Sequence, residues 1–152
     1  MICDAHVHFF SPGFFDALGA QKGLPPEGRV GEVALALEWE SAPSVAVLAA
    51  RWATELDAHG VSRAALIASL PGDEASVAAA VAEYADRFVG FFMLDPMKDD
   101  AADRVAWATA HGLRGICLFP AMHRYSLLSP EVSRVFDMAA AAPGTVVFVH
   151  CG

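Results

Sequence analysis

Among the six histidines of the 152-residue chain, His6 and His8 lie one residue apart in DAHVH near the start, and His150 sits in TVVFVHCG at the far end. In an extended strand successive side chains alternate between faces, so His6 and His8 share one face. Neutral imidazole is the commonest ligand for zinc and similar ions, and a His-x-His pair can offer two nitrogens to a single point. Asp4 has the same parity and could support the pair from one layer below. The competing reading makes His6 and His8 polar core residues bonded to backbone, with His150 unrelated. Two histidines on one face plus a third at an equivalent strand end favour a metal site held by His6, His8 and His150.

The remaining histidines carry less. His59 precedes Gly60 at a helix end, and His111 stands beside Gly112 at another, where solvated capping is the expected role. His123, in PAMHRYSLL, follows a strand-like run and brings Arg124 and Tyr125 with it. That trio could bind an anionic group of a substrate, or form an ordinary polar loop. Asp95-Pro96 closes FFMLDP and reads as a turn. Phe14, Phe15 and Trp39 fall in a long segment after the first strand and could contact an apolar or aromatic ligand.

The elements that must position these groups are short. Five β-rich runs stand out, at residues 2–9, 63–69, 87–94, 113–119 and 145–151. Helical spacing predicts helices over 45–59 (ended by Gly60), over 73–86 with Val77, Val81 and Tyr84 on one face, and over 99–111 behind a DD cap. Ser129-Pro130-Glu131 starts a further helix with a cap, a proline in the first turn and an early acid. Strands and helices therefore alternate, with connections suited to parallel crossovers. Residues 11–44 are too long for a plain βα loop. They read as a lid or pocket wall, or else as a partly ordered surface excursion.

An alternating α/β chain makes a parallel sheet, either doubly wound or closed into a barrel. No GxGxxG or GxxxxGK[ST] follows a strand, which removes support for the nucleotide-binding versions. In a barrel, chemistry gathers at the C-terminal ends of strands, and all three site histidines lie there.

Composition excludes several classes. The chain is 55% hydrophobic and 18% charged, with a net charge of −8, so a disordered chain is ruled out. Without a Lys/Arg cluster, neither nucleic acid nor an anionic membrane is an expected partner. No apolar run reaches the roughly 20 residues of a membrane span, and no secretory signal is present. Cys3, Cys117 and Cys151 lie in strand-like runs without CxxC spacing and read as reduced core residues of a cytoplasmic protein. Cys151, beside His150, is also a candidate ligand or supporting group.

DAHVH, GLRGICLFPA followed by YSLLSPEVSRVFDMAA, and VVFVHCG together resemble the amidohydrolase superfamily, in its amidohydrolase-2 group of metal-dependent hydrolases and decarboxylases. The resemblance runs along the whole chain. It implies a (β/α)8 TIM-barrel-like fold of which about the first five βα units are present, residues 1–152 forming the N-terminal part of one domain with the 11–44 insertion as lid. It implies one divalent metal ion, zinc first, on His6, His8 and His150. Members with two metals bridge them through a carboxylated lysine or an acid on strand 4, where GICLF offers Cys117, so a single metal is expected. The family's strand-6 histidine and strand-8 aspartate have no counterpart in the 152 residues, so no catalytic residue is assigned.

The implied function is metal-activated water acting on an amide or lactone of a small carboxylated substrate. The alternatives are non-oxidative decarboxylation of an aromatic or unsaturated acid on the same metal, and a metal-binding domain without catalysis. A five-stranded portion would leave strands 1 and 5 as open edges. The chain alone is then expected to self-associate, with a homo-oligomer as one outcome, to hold metal weakly and to lack turnover.

Overall fold

The computed structural model describes residues 1–151. Five strands, β1 (Ile2–Phe9), β2 (Val61–Ala68), β3 (Phe88–Leu94), β4 (Gly115–Leu118) and β5 (Val146–Val149), lie in the order β1-β2-β3-β4-β5, every neighbouring pair parallel. A doubly wound sheet reverses its order at a switch point. This one never does, which places it with the barrels.

The curl can be measured from side chains. In a flat sheet four inter-strand spacings of about 4.8 Å would separate β1 from β5 by roughly 19 Å. The rings of His6 on β1 and Phe148 on β5 are nevertheless 5.3 Å apart, centroid to centroid. The sheet bends until its first and last strands face each other across a common interior.

The helices that drive this bend sit on the outer face. After α1 (Pro12–Gln21) and α2 (Arg29–Ala36) come α3 (Val45–Ala58), α4 (Glu74–Glu83), α5 (Ala101–Ala110), the short α6 (Pro120–His123) and α7 (Pro130–Ala141). Val7, Phe9, Leu66, Phe92, Leu94, Ile116 and Leu118 pack outward against Ala49 and Ala53 of α3, Val77 of α4, Val105 and Ala108 of α5, and Val132 and Val135 of α7. Each large side chain so buried contributes about 1.5–3 kcal/mol. The alternate residues point inward, and Ile67, Met93, Cys117 and Phe119 form a second, smaller cluster there with Phe91 against it.

Two glycines make room for these layers. A Cβ on Gly90 would stand 2.2 Å from Leu113 Cδ2 on the outer face, and one on Gly115 would stand 2.1 Å from the Phe91 ring on the inner face. Between α4 and α5, Glu74 is 6% exposed and is paired with the Arg104 guanidinium, whose Nε donates to Glu74 Oε1 at 2.9 Å.

Several expectations need correction. The 11–44 segment is an ordered helical pair rather than an excursion: Ser11 caps α1, and Phe15, Val33 and Ala34 form its own small core. β4 and β5 are shorter than the runs 113–119 and 145–151. Neither Asp73 nor Asp100 makes a side-chain cap bond, whereas Ser44 and Ser129 do, accepting from the amides of Val47 and Val132. Cys117 is buried as expected, but Cys3 and Cys151 are exposed, Cys3 on the edge strand β1 and Cys151 past the end of β5. Among the described residues no helix is long and apolar enough to cross a membrane.

Three stability measurements test this packing. Gly90→Ala should lower unfolding free energy in urea by on the order of 1–3 kcal/mol through overpacking. By contrast Gly31→Ala on α2, where a Cβ meets nothing within 4 Å, should be neutral or gain up to about 1 kcal/mol. Arg104→Ala strands Glu74 in the interior and should cost about 3–5 kcal/mol. A loss below about 1 kcal/mol would mean Glu74 is rehydrated instead of held by Arg104.

Candidate functional site

The inward parity of β1 brings the two histidines together. His6 Nε2 and His8 Nε2 are 3.1 Å apart. Two nitrogens bound tetrahedrally to zinc at 2.0–2.1 Å would be about 3.3 Å apart, so this pair fits one divalent ion. The sheet ladder skips residues between Asp4 and Val7, and there the His6 amide donates to Asp4 Oδ1 at 3.0 Å. Asp4 therefore serves the backbone rather than an imidazole.

His8 is half-buried and His6 is exposed. Burial, and then the charges of His6 and His150, hold the His8 pKa below its ordinary value. That favours the neutral, ligating form. His8 Nδ1 lies 2.8 Å from Ser69 Oγ, which in turn donates to the Ile67 carbonyl at 3.1 Å. Ser69 directly follows β2, 61 residues from His8 in sequence, and no local pattern marks it.

His150 reaches the same interior from the far side. Its amide donates to the Leu118 carbonyl at 2.9 Å, and its ring stacks on Phe119 at 5.0 Å. It is near enough for its charge to bear on His8. Among the described residues, however, no group of three or more His, Cys, Asp or Glu side chains is arranged to hold a metal ion. His6 and His8 thus form a two-nitrogen cradle that His150 faces without completing. Neither sulfur nearby joins it. Burial pushes the Cys117 thiol up to about 12, and the Cys151 thiol turns to the Val149 carbonyl at 3.7 Å.

A cavity of about 380 Å³ opens beside His8. Phe10, Phe15 and Trp39 form its aromatic wall, and Arg51 and Trp52 of α3 close the other side. Phe10 stacks on His8 (5.6 Å, 8° between planes) and lies 5.0 Å from Trp39. Phe14 stands behind this wall, 4.7 Å from Phe10. Sequence reasoning missed Arg51 and Trp52, although Leu48, Arg51, Trp52 and Glu55 share the i, i+3, i+4, i+7 face of one helix. Arg51 pairs with Glu40 at 3.7 Å, with the glutamate 90% exposed.

The insertion that carries this wall is anchored. Asp73 accepts from Ser11 Oγ and Ser76 Oγ, each at 2.5 Å. Burial raises the Asp73 pKa, the two hydroxyl bonds oppose the rise, and the charge of Glu74 adds to it.

The other sequence-named residues gather around β4 and β5. Among the described residues His123 Nδ1 and Tyr125 Oη are buried without a hydrogen-bond partner. The His123 ring lies 6.4 Å from Phe119, the residue that stacks on His150. Burial first, and then the charge of Asp95, push Tyr125 up to about 12, with the nearby Phe119 amide opposing. Arg124 is exposed and ends α6 with φ +57°. Asp95 accepts from the Met97 amide at 3.1 Å, as a turn residue does. His59 and His111 are exposed helix-end residues.

Comparison with known proteins places this arrangement. The pattern of the amidohydrolase family matches residues 3–152. A comparison with curated proteins gives no match. Among solved structures the chain is similar to a probable 2-pyrone-4,6-dicarboxylic acid hydrolase from Acinetobacter baumannii, solved with citric acid bound. The TM-score is 0.66 at 17% identity, over 99% of this chain and 49% of that one. The chain thus spans about half the length of that relative, whose fold it shares as a half-barrel of five parallel strands. With its sequential parallel strands and the DAHVH pair on β1, this chain belongs to the amidohydrolase family.

Proposed function

We propose that the chain carries the first-half active-site elements of a metal-dependent hydrolase that opens a lactone or amide of a small carboxylated substrate. The observation that carries this reading is the convergence of His6 Nε2 and His8 Nε2 to 3.1 Å at the strand end that faces His150. His6, His8 and His150 are the proposed ligands of one divalent ion, zinc by preference for its nitrogen donors. Such an ion supplies a Lewis acid for the substrate carbonyl and renders water acidic enough to lose a proton near neutral pH.

The chain's own residues then bind and orient. Trp39, Phe15 and Phe10 take the apolar face of the substrate beside His8, with Phe14 backing them. Arg51 is available to a carboxylate because an exposed pair such as Arg51–Glu40 contributes little. On the opposite side His123, Arg124 and Tyr125 form the set for a second anionic group. Tyr125, raised to about 12, keeps its hydroxyl proton and can donate it across the neutral range. The lactone reading draws support from the substrate named for the structural relative, a 2-pyrone with two carboxyl groups. Removal of the lid over 11–44 should weaken substrate binding while sparing the metal.

Zinc titration followed by elemental analysis tests the centre. His6→Ala and His8→Ala should each weaken zinc binding at least about tenfold, whereas Cys117→Ser should leave it unchanged. Parental zinc content in His8→Ala would rule the centre out. Turnover, assayed in a longer gene product that also supplies the family's strand-6 histidine and strand-8 aspartate, separates the chemistries. Loss of pyrone absorbance supports the hydrolase, CO2 release from an aromatic acid without lactone hydrolysis would replace it with a decarboxylase, and bound zinc with neither would leave a metal-binding domain.

The pocket has its own test. Titration with a 2-pyrone dicarboxylate, read by tryptophan fluorescence, should saturate in the zinc-loaded chain. Trp39→Ala and Arg51→Ala should weaken that binding by roughly 1–2 kcal/mol each, with zinc content unchanged. Equal affinity in both variants would remove this cavity from the substrate path.

A further inference from the structure

Ser69 stands where a residue just past β2 can govern a β1 ligand. Its hydroxyl carries one proton and lies 3.1 Å from the Ile67 carbonyl and 2.8 Å from His8 Nδ1. A carbonyl oxygen only accepts, so the hydroxyl proton goes to Ile67 and the Ser69 oxygen is left to accept. What it accepts is the proton on His8 Nδ1. That leaves His8 Nε2 with a bare lone pair, directed at His6 Nε2 3.1 Å away. When both rings are neutral, His6 must then carry its proton on Nε2 and donate it to His8.

We propose that Ser69 is a positioning residue that locks His8 in the Nδ1–H tautomer, so that His8 is the preformed metal ligand and His6 must tautomerise to join it. The two adjacent histidines are therefore not equivalent. His8 has its outer nitrogen satisfied by Ser69 and its inner one ready, the arrangement in which a ligating imidazole is fixed by the bond its other nitrogen makes. His6 has its inner nitrogen occupied by a proton. For His6 and His8 both to hold a divalent ion, that proton would have to leave Nε2 for Nδ1 through solvent, with no net proton released, and the His6–His8 hydrogen bond would be given up.

This assignment rests on the proposed metal centre for its purpose, but the tautomer of His8 is a property of the metal-free chain and can be read there. Long-range proton–nitrogen NMR correlations of isotope-labelled histidine rings, taken near pH 8, above the ordinary histidine value of about 6.5, report which nitrogen bears the proton. The expected result without metal is Nδ1–H on His8 and Nε2–H on His6. Adding zinc ion should shift the His6 proton to Nδ1 and leave His8 as it was. Ser69→Ala should give His8 a mixture of tautomers and weaken zinc binding about 10–100-fold, and Ser69→Thr, which keeps the hydroxyl, should restore both. An Nε2–H on His8 in the parent overturns the proposal without any variant having to fold. So does Ser69→Ala with parental tautomer and parental zinc affinity. Should zinc fail to bind while His8 still shows Nδ1–H, the role of Ser69 stands and the metal reading of the site falls.

Discussion

The curl of the parallel sheet is the constraint on which the rest depends. Sequential parallel strands with right-handed crossovers put the crossover helices α3, α4, α5 and α7 on one side. Burying the outer face of β1 to β4 against alanine-lined helices then bends the sheet away from them. The bend is what brings His6 to within 5.3 Å of Phe148. It also turns a period of two into a division of labour. Val7 and Phe9 supply burial, and the residues between and beside them, His6 and His8, are left to line an interior. Slipping β1 by one residue would bury the imidazoles among the helices and expose the valine and phenylalanine.

The interior beside the histidines is apolar. Ile67, which pairs in register with His8, lines it together with Met93, Cys117 and Phe119, and Gly115 is kept bare so that the Phe91 ring can lie over it. That apolar lining is itself buried. It also explains the inert Cys117 thiol, since burial disfavours the thiolate that a metal would need. The histidine pair stands near the carboxyl end of β1, where the loop after β2 reaches His8.

That loop does two jobs. Residues 69–73 place Ser69 against His8 and Asp73 against Ser11. The first contact orients a ring on β1; the second fixes the start of the insertion that walls the cavity. Asp73 tolerates its half-buried position because two hydroxyls offset the loss of water. Glu74, the next residue, is buried by a different device, its pairing with Arg104 of α5. The loop is thus tied to β1, α1 and α5 at once, so the orientation of His8 and the position of the wall are set by the same few residues.

Local periodicity made part of this legible. The shared face of His6 and His8, the sheet-facing Val77, and the Ser129 cap follow from spacing alone, because each depends on neighbours within about one turn or one pleat. Ser69 and Trp52 do not, since their partners stand on other elements and a lone serine or an amphipathic tryptophan has the same local pattern with or without them. The missing Asp73 cap has the same origin: a tertiary competitor, Ser11, claims the carboxylate that local rules would assign to the helix amides. His150 shows how much geometry strand ends alone leave unspecified. An equivalent position on β5 puts it across the interior from His8, close enough to act on its charge, yet convergence of three nitrogens needs an angle that the register of β1 against β5 must set. The two strands share no hydrogen bonds, so that angle is governed by curvature, through contacts such as His6–Phe148 and Phe119–His150, and not by any ladder.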